Sequence, residues 1–396
     1  MTVSTNSLYL IAVLERLSAL DGRFIDIRCV NINLASGTAR GVLSLVFRAF
    51  DQAENRLVAL KFYDIDPVKL ANDYRRDAFR REHNILQSLI GSRRCLQVGS
   101  KFSTYALQIP NASGTPLELP CHYFAVEWLE EDIDQYFEQQ DSYDPIEKLK
   151  LFNDIVLGVE ALHRHDVYHR DLKKDNFRAH LDGSSRIVVA IDLGSAARWE
   201  SVPLSGDYGN GVGAPAYSAP EAICGLAGIR QLGRYIDTYA LGCMLFELFN
   251  RDLFFYELLA RNPNYFPILT AMGAPARSAT TASDKLSRWK DALRRHSNGV
   301  TPVSILALGH SVPLGIAPLL DGLVQLLTRI DYSSRPHSLE FVRRRVQSAI
   351  MCLQNERLYQ IKLAEVKARR ADRIARILRK QERLSLAQAR RRLNAK

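Results

Sequence analysis

The nine residues Tyr168–Asn176 read YHRDLKKDN, and their surroundings leave few ways to fold them. They follow a segment, 145–165 (PIEKLKLFNDIVLGVEALHRH), whose apolar residues Leu149, Phe152, Ile155, Val156, Val159 and Leu162 recur at helical intervals. They precede a short apolar hairpin that ends in the turn Ile191-Asp192-Leu193-Gly194. The pattern predicts a long helix delivering one polar loop, and a hairpin joining that loop to a second. On the two loops sit an acid (Asp171), a lysine (Lys173), an amide (Asn176) and a second acid (Asp192). Such a set can take a proton, hold phosphoryl oxygens and ligate a hard metal ion, which is what moving a phosphoryl group from a metal nucleotide to a hydroxyl requires.

At 396 residues the chain is long enough for a large core and for two or three structural units. Its 47% hydrophobic and 24% charged content is that of an ordinary soluble globular protein. The longest apolar run near the start, Leu8–Leu14, is broken by Glu15 and Arg16, so it is too short to span a bilayer, and it lacks the small-residue cleavage pattern of a signal peptide. A cytoplasmic protein is expected. The six cysteines are scattered without CxxC spacing, which argues against a zinc site or a disulfide framework. The net charge of +10 is local: residues 356–396 hold 14 Lys and Arg against 4 Asp and Glu, so the rest of the chain sums to zero.

Residues 7–20 have helical spacing and predict a short leading helix against the first lobe, with a docking segment as the alternative. From Phe24 to Tyr63 the pattern changes to period two, in RFIDIRCVNINL, VLSLVFRAF and RLVALKFYD, separated by ASGTARG and DQAEN. Three antiparallel strands are expected there. Lys61 lies among Val58, Leu60 and Phe62 on the third strand, where a buried ammonium needs an anionic partner. A helix follows over 78–89. After Pro110, Gly114, Pro116 and Pro120, the run Tyr123–Leu129 reads as a buried strand leading into acidic EEDIDQYF. Residues 270–315 look like an insertion carrying an amphipathic piece, DKLSRWKDALRRH. From Arg343 onward the chain has no Gly or Pro and predicts a long basic helix outside the main fold.

HRDLKxxN followed by a D-x-G turn resembles the catalytic and metal-binding loops of the eukaryotic-like serine/threonine protein kinases. The resemblance covers about residues 24–345. It implies an α+β, two-lobed fold, with an N-terminal extension over 1–23, an N-lobe over 24–128, a C-lobe over 129–345 and a basic tail over 346–396. It implies that Asp171 accepts the substrate proton, Lys173 holds γ-phosphoryl oxygens, and Asn176 and Asp192 ligate Mg2+ for ATP. Lys61 would pair with Glu82. The glycine-rich flap positions fall on Ala39, Gly41, Ser44 and Val46, so only the middle glycine is kept. Val126 would stand beside the adenine, the backbone of Glu127 and Leu129 would bond its edge, and Asp132 would meet the ribose.

Further along, Arg170 would favour activation by a phosphate on the following loop, with Ser201, Ser205 and Tyr208 as candidate acceptors. GAPAYSAPE (213–221) resembles the kinase substrate-docking loop and implies a protein substrate, with Glu221 pairing Arg335 and Asp237 capping the catalytic loop. Ala214 stands where these kinases carry a threonine that bonds the catalytic aspartate and lysine, Lys174 replaces a proline, and Leu193 replaces the phenylalanine of the D-F-G turn. The expected activity is ATP- and Mg2+-dependent phosphorylation of Ser or Thr. The alternative is a pseudokinase-like scaffold that binds nucleotide or a partner. Three readings remain open for the basic tail: a solvated or lobe-packed helix, docking to an acidic protein partner, and attraction to nucleic acid or anionic lipid.

Overall fold

A computed structural model describes residues 3–33, 38–39, 44–110, 116–183, 185–198, 213–355, 363 and 366–379. Five antiparallel strands form the first lobe: β1 (Phe24–Cys29), β2 (Ser44–Asp51), β3 (Arg56–Tyr63), β4 (Ser103–Ile109) and β5 (Leu117–Glu127), in the order β1-β2-β3-β5-β4. Register places Lys61 between Val46 on β2 and Phe124 on β5.

Strand β3 is apolar on both faces because both are covered. Helix α1 (Thr5–Leu14) buries Leu10, Ile11 and Leu14 against the face carrying Val58, Leu60 and Phe62. It begins at Ser4, whose Oγ accepts the Ser7 N–H at 3.2 Å. It ends at Leu14, short of the expected residue 20, and the Glu15 carboxylate just beyond it accepts the Cys29 N–H of β1 at 2.9 Å. The leading segment therefore shares the first lobe's core. The opposite face, with Ala59, Lys61 and Tyr63, meets α2 (Asp73–Ser88), which presents Phe79, Glu82 and Leu86. Helix α2 is capped by Asn72, which accepts the Arg75 N–H at 3.1 Å.

The second lobe is built on α3 (Pro145–Arg164), whose start carries Pro145 and a reciprocal cap between Asp144 and Glu147. One flank of α3 packs on the hairpin β6 (Phe177–Asp182) and β7 (Ser185–Ala190), the expected connection between the two polar loops. Helix α4 (Gly233–Glu247) is buried almost throughout.

The presumed insertion folds as α5 (Tyr265–Arg277) against α6 (Ala282–His296). Trp289, Ala292 and Leu293 are buried, so the amphipathic piece turns its apolar face inward. Helix α7 (Ala317–Leu327) leads to α8 (Leu339–Gln354). Where a long helix outside the main fold was expected from Arg343, the first turns pack on the second lobe: Val342, Val346 and Ala349 are buried, and Arg343 meets Glu160 of α3 at 3.0 Å. Helix α8 thus runs across the expected boundary at 345. Residues 366–379 form a further helix. Among the described residues, no helix is long and apolar enough to cross a membrane.

Candidate active site

The first group meets where β3, α2 and the Asp192 turn converge. Lys61 Nζ donates to both Glu82 carboxylate oxygens at 2.7 and 2.8 Å and lies 3.3 Å from Asp192 Oδ1. Asp192 takes left-handed backbone angles, φ 61° and ψ 64°, which aim its side chain back at Lys61. The same turn is locked to α2 twice more: Leu193 N–H donates to Glu82 Oε1 at 3.0 Å, and Arg81 donates to the Gly194 carbonyl at 3.0 Å. Lys61 holds the Asp192 carboxyl below the ordinary aspartate range. Burial pulls the Lys61 ammonium down, but Glu82 and Asp192 outweigh it, so Lys61 stays charged.

The second group is the loop after α3. Asp237 of α4 accepts the backbone N–H of His169 at 2.9 Å and of Arg170 at 2.7 Å, and lies 2.8 Å from His163 Nε2. Those bonds hold Arg170 at φ 63°, a costly conformation for a side chain of its size. The Arg170 guanidinium donates to the carbonyls of Ser195 at 2.9 Å and Ala227 at 3.1 Å. His169 Nε2 sits 2.9 Å from the Ile191 carbonyl, so that nitrogen carries the proton and ties the two loops together.

Asp171 Oδ1 accepts the Ala214 backbone N–H at 2.7 Å. Asn176 Nδ2 donates to the Asp171 carbonyl at 2.8 Å, which leaves Oδ1 as the oxygen the amide presents to the cleft. Burial pushes the Asp171 carboxyl above the ordinary aspartate range.

The remaining expected residues are less uniformly placed. Lys173 Nζ lies 3.7 Å from Asp175, and Lys174 lies 3.6 Å from Glu138. Val46 faces the cleft from β2, directly across from Lys61. The Glu127 N–H is committed to the Gln97 carbonyl at 2.9 Å, whereas none of the described residues takes the Leu129 N–H. Asp132 receives Arg178 at 2.7 Å and the Asp134 N–H at 3.0 Å, partners that its acidic neighbours gave no hint of. Gly41 and the acceptors Ser201, Ser205 and Tyr208 lie outside the described residues. Glu221 and Arg335 form a fully buried two-bond pair at 2.6 and 3.1 Å beneath the 213–221 loop.

Two further contacts, both at the 213–221 loop, were not read from the sequence. Tyr217 donates its hydroxyl to the buried Glu247 carboxylate at 2.6 Å; its tyrosine within GAPAYSAPE was the only signal. The Ala214 N–H on Asp171 had no side-chain signal at all. Gly213 makes that contact possible at φ 94°: a Cβ there would lie 2.8 Å from the Arg170 carbonyl oxygen and 3.1 Å from Asp171 Oδ1.

A two-lobed fold with a strand lysine paired to a helix glutamate, a capped loop aspartate and a left-handed aspartate turn defines a class, and the chain belongs to it: the protein kinase domain family, whose model matches residues 37–340. Among its relatives, the serine/threonine-protein kinase ksp1 of Schizosaccharomyces pombe is 40% identical over 109 residues, 27% of this chain and 22% of the relative. The serine/threonine-protein kinase PknD of Chlamydia muridarum is 29% identical over 232 residues, 53% of this chain and 23% of the relative. The CTD kinase subunit alpha of Saccharomyces cerevisiae is 35% identical over 105 residues, 26% of this chain and 18% of the relative. Each match spans less than a quarter of the relative's own length.

Proposed function

We propose that this chain phosphorylates Ser or Thr hydroxyls of protein substrates with Mg2+ and ATP. The observation that carries the reading is the assembled contact of Lys61 with Glu82 and Asp192, made by three separate elements. A scaffold has no need to keep a buried lysine, two carboxylates and a capped base in one register. Lys61 binds the α- and β-phosphates, and the Leu129 N–H takes the adenine edge. Val46 covers the nucleotide, the Glu127 carbonyl meets the adenine, and Asp132 meets the ribose while still bridged to Arg178.

Asn176 Oδ1 and Asp192 fit a magnesium ion, which takes oxygen ligands and keeps several waters. Mg2+ supplies charge neutralisation at the phosphates. Asp171 orients the substrate hydroxyl. As the hydroxyl oxygen bonds to the γ-phosphorus, the bond to the bridging oxygen of the departing ADP breaks, and the proton passes to Asp171. Because Oδ1 is engaged by Ala214, Oδ2 is the accepting oxygen. Lys173 steadies the transferred phosphoryl oxygens. The lysine in HRDLK favours Ser and Thr over Tyr, and the buried Glu221–Arg335 pair under the 213–221 loop supports a peptide-docking platform.

We divide the chain into an N-lobe to residue 128 and a C-lobe that runs to the end of α8, with the tail beyond. The six unpaired cysteines, four of them buried, are read as reduced and support a cytoplasmic setting.

The test is transfer of label from γ-labelled ATP with Mg2+ to generic basic and acidic proteins, by the wild type and by Asp171→Ala. Loss of roughly 10²- to 10⁴-fold is expected in the variant. Equal incorporation by both proteins overturns the mechanism, and none by either returns the scaffold reading.

A further inference from the structure

No residue of the helix over 366–379 belongs to the site described above, and its composition is strongly biased. It carries Lys367, Arg369, Arg370, Arg373, Arg376 and Arg379 against the single acid Asp372. Val366, Ile374, Ile377 and Leu378 are 59, 51, 50 and 54% exposed. At 100° per residue these four aliphatics fall within about 120° of arc, while Arg369, Arg373, Arg376 and Arg379 occupy an arc of similar width on the other side. Lys367 and Arg370 lie inside the aliphatic arc.

We propose that this helix lies on anionic lipid surfaces, with its aliphatic stripe among the acyl chains and its cations on the headgroups. An amphipathic helix with aliphatics on one side and Arg and Lys on the other is the pattern for in-plane binding at a bilayer interface. Lys367 and Arg370 fit that interface, because their methylene stems lie among aliphatic groups while the charged ends reach the phosphates.

Charge selects this occupant over a second copy of the helix, and the aliphatic stripe selects it over nucleic acid. A second copy of the helix would set six cations against six with one carboxylate on each side to offset them. Nucleic acid would take the cations but leave the aliphatic stripe in water, and the segment has no aromatic residue to stack on bases.

The experiment is co-sedimentation of the full chain with vesicles of phosphatidylcholine alone, and of phosphatidylcholine mixed with phosphatidylglycerol. The Ile374→Asp/Ile377→Asp double variant and a duplex DNA arm are run beside it, and label transfer checks that the variant stays folded and active. The wild type is expected on the mixed vesicles only, weakening as salt rises, with affinity reduced at least about tenfold in the variant, which loses apolar contact and adds repulsion. Four outcomes overturn the proposal: no vesicle binding, equal binding to uncharged vesicles, an unchanged affinity in the double variant, or DNA binding tighter than vesicle binding.

Discussion

Gly213 and Ala214 do with the backbone what a hydroxyl side chain does in the kinases this chain resembles. The threonine position is alanine, but its N–H reaches Asp171 Oδ1 at 2.7 Å, so the carboxylate still has a fixed orientation. The contact depends on Gly213, whose φ of 94° brings the peptide close enough to meet the carboxylate. Gly213→Ala combines a strained backbone with a Cβ pressed against the Arg170 carbonyl, so the loop has to withdraw. With Asp171 in its proposed role as base, a displacement of that kind lowers kcat on the order of 10²-fold. Steady-state kinetics with a protein substrate check this, with the ATP KM close to wild type; an unchanged kcat shows that the amide contact does not position the base. This contact was illegible in the sequence because every residue but proline carries the same N–H.

At the scale of elements, the Lys61–Glu82 pair decides whether α2 stays seated on the sheet and the Asp192 turn. Both side chains are buried, and Glu82 also accepts the Leu193 N–H. Lys61→Met leaves that carboxylate without its cation, at a cost of about 3–5 kcal/mol. Burial already pushes the Glu82 carboxyl upward, so the lone group takes up a proton in acid and the loss of Tm is larger at alkaline than at acidic pH. Lys61→Met/Glu82→Leu recovers most of the stability and none of the phosphoryl transfer. Thermal unfolding of both variants across pH checks the pair; a single variant as stable as wild type contradicts it. The strand was legible from period two, and the need of Lys61 for an anionic partner from its apolar neighbours, whereas Glu82 was named only through the resemblance to the kinases. That Arg178 would claim Asp132 was not legible, since the two lie 46 positions apart and meet only through the pairing of Phe177–Asp182 with the Glu131–Asp132 segment.

For the whole molecule, stability carries a pH signature from the second lobe. Glu247 is buried where α4 meets the 213–221 loop, and burial pushes its carboxyl up to about 7 against the bond from Tyr217. A carboxyl raised on folding stabilises the protein fully below its unfolded value of about 4.3, and that contribution is lost as pH rises through the folded value. Between about pH 4 and pH 7 the loss from this group is on the order of 3 kcal/mol. Glu247→Gln keeps an oxygen for the Tyr217 hydroxyl and cannot ionise, so its Tm falls less across this window than that of the wild type. Parallel melting curves for the two proteins contradict the assignment.

What the sequence by itself determined is everything that rests on near neighbours and spacing: the polar loops on either side of a hairpin, the three first strands, the helix that carries Glu82, and a basic tail set apart by charge. Tertiary structure alone decided which surfaces meet. Helix α1 closes the outer face of the first sheet, α8 is drawn from the presumed tail into the second lobe, and a peptide N–H replaces a missing hydroxyl on Asp171. The reason is physical: periodicity marks which side of an element is apolar, but the partner that covers it, and the backbone groups it brings along, are set by packing between residues far apart in the chain.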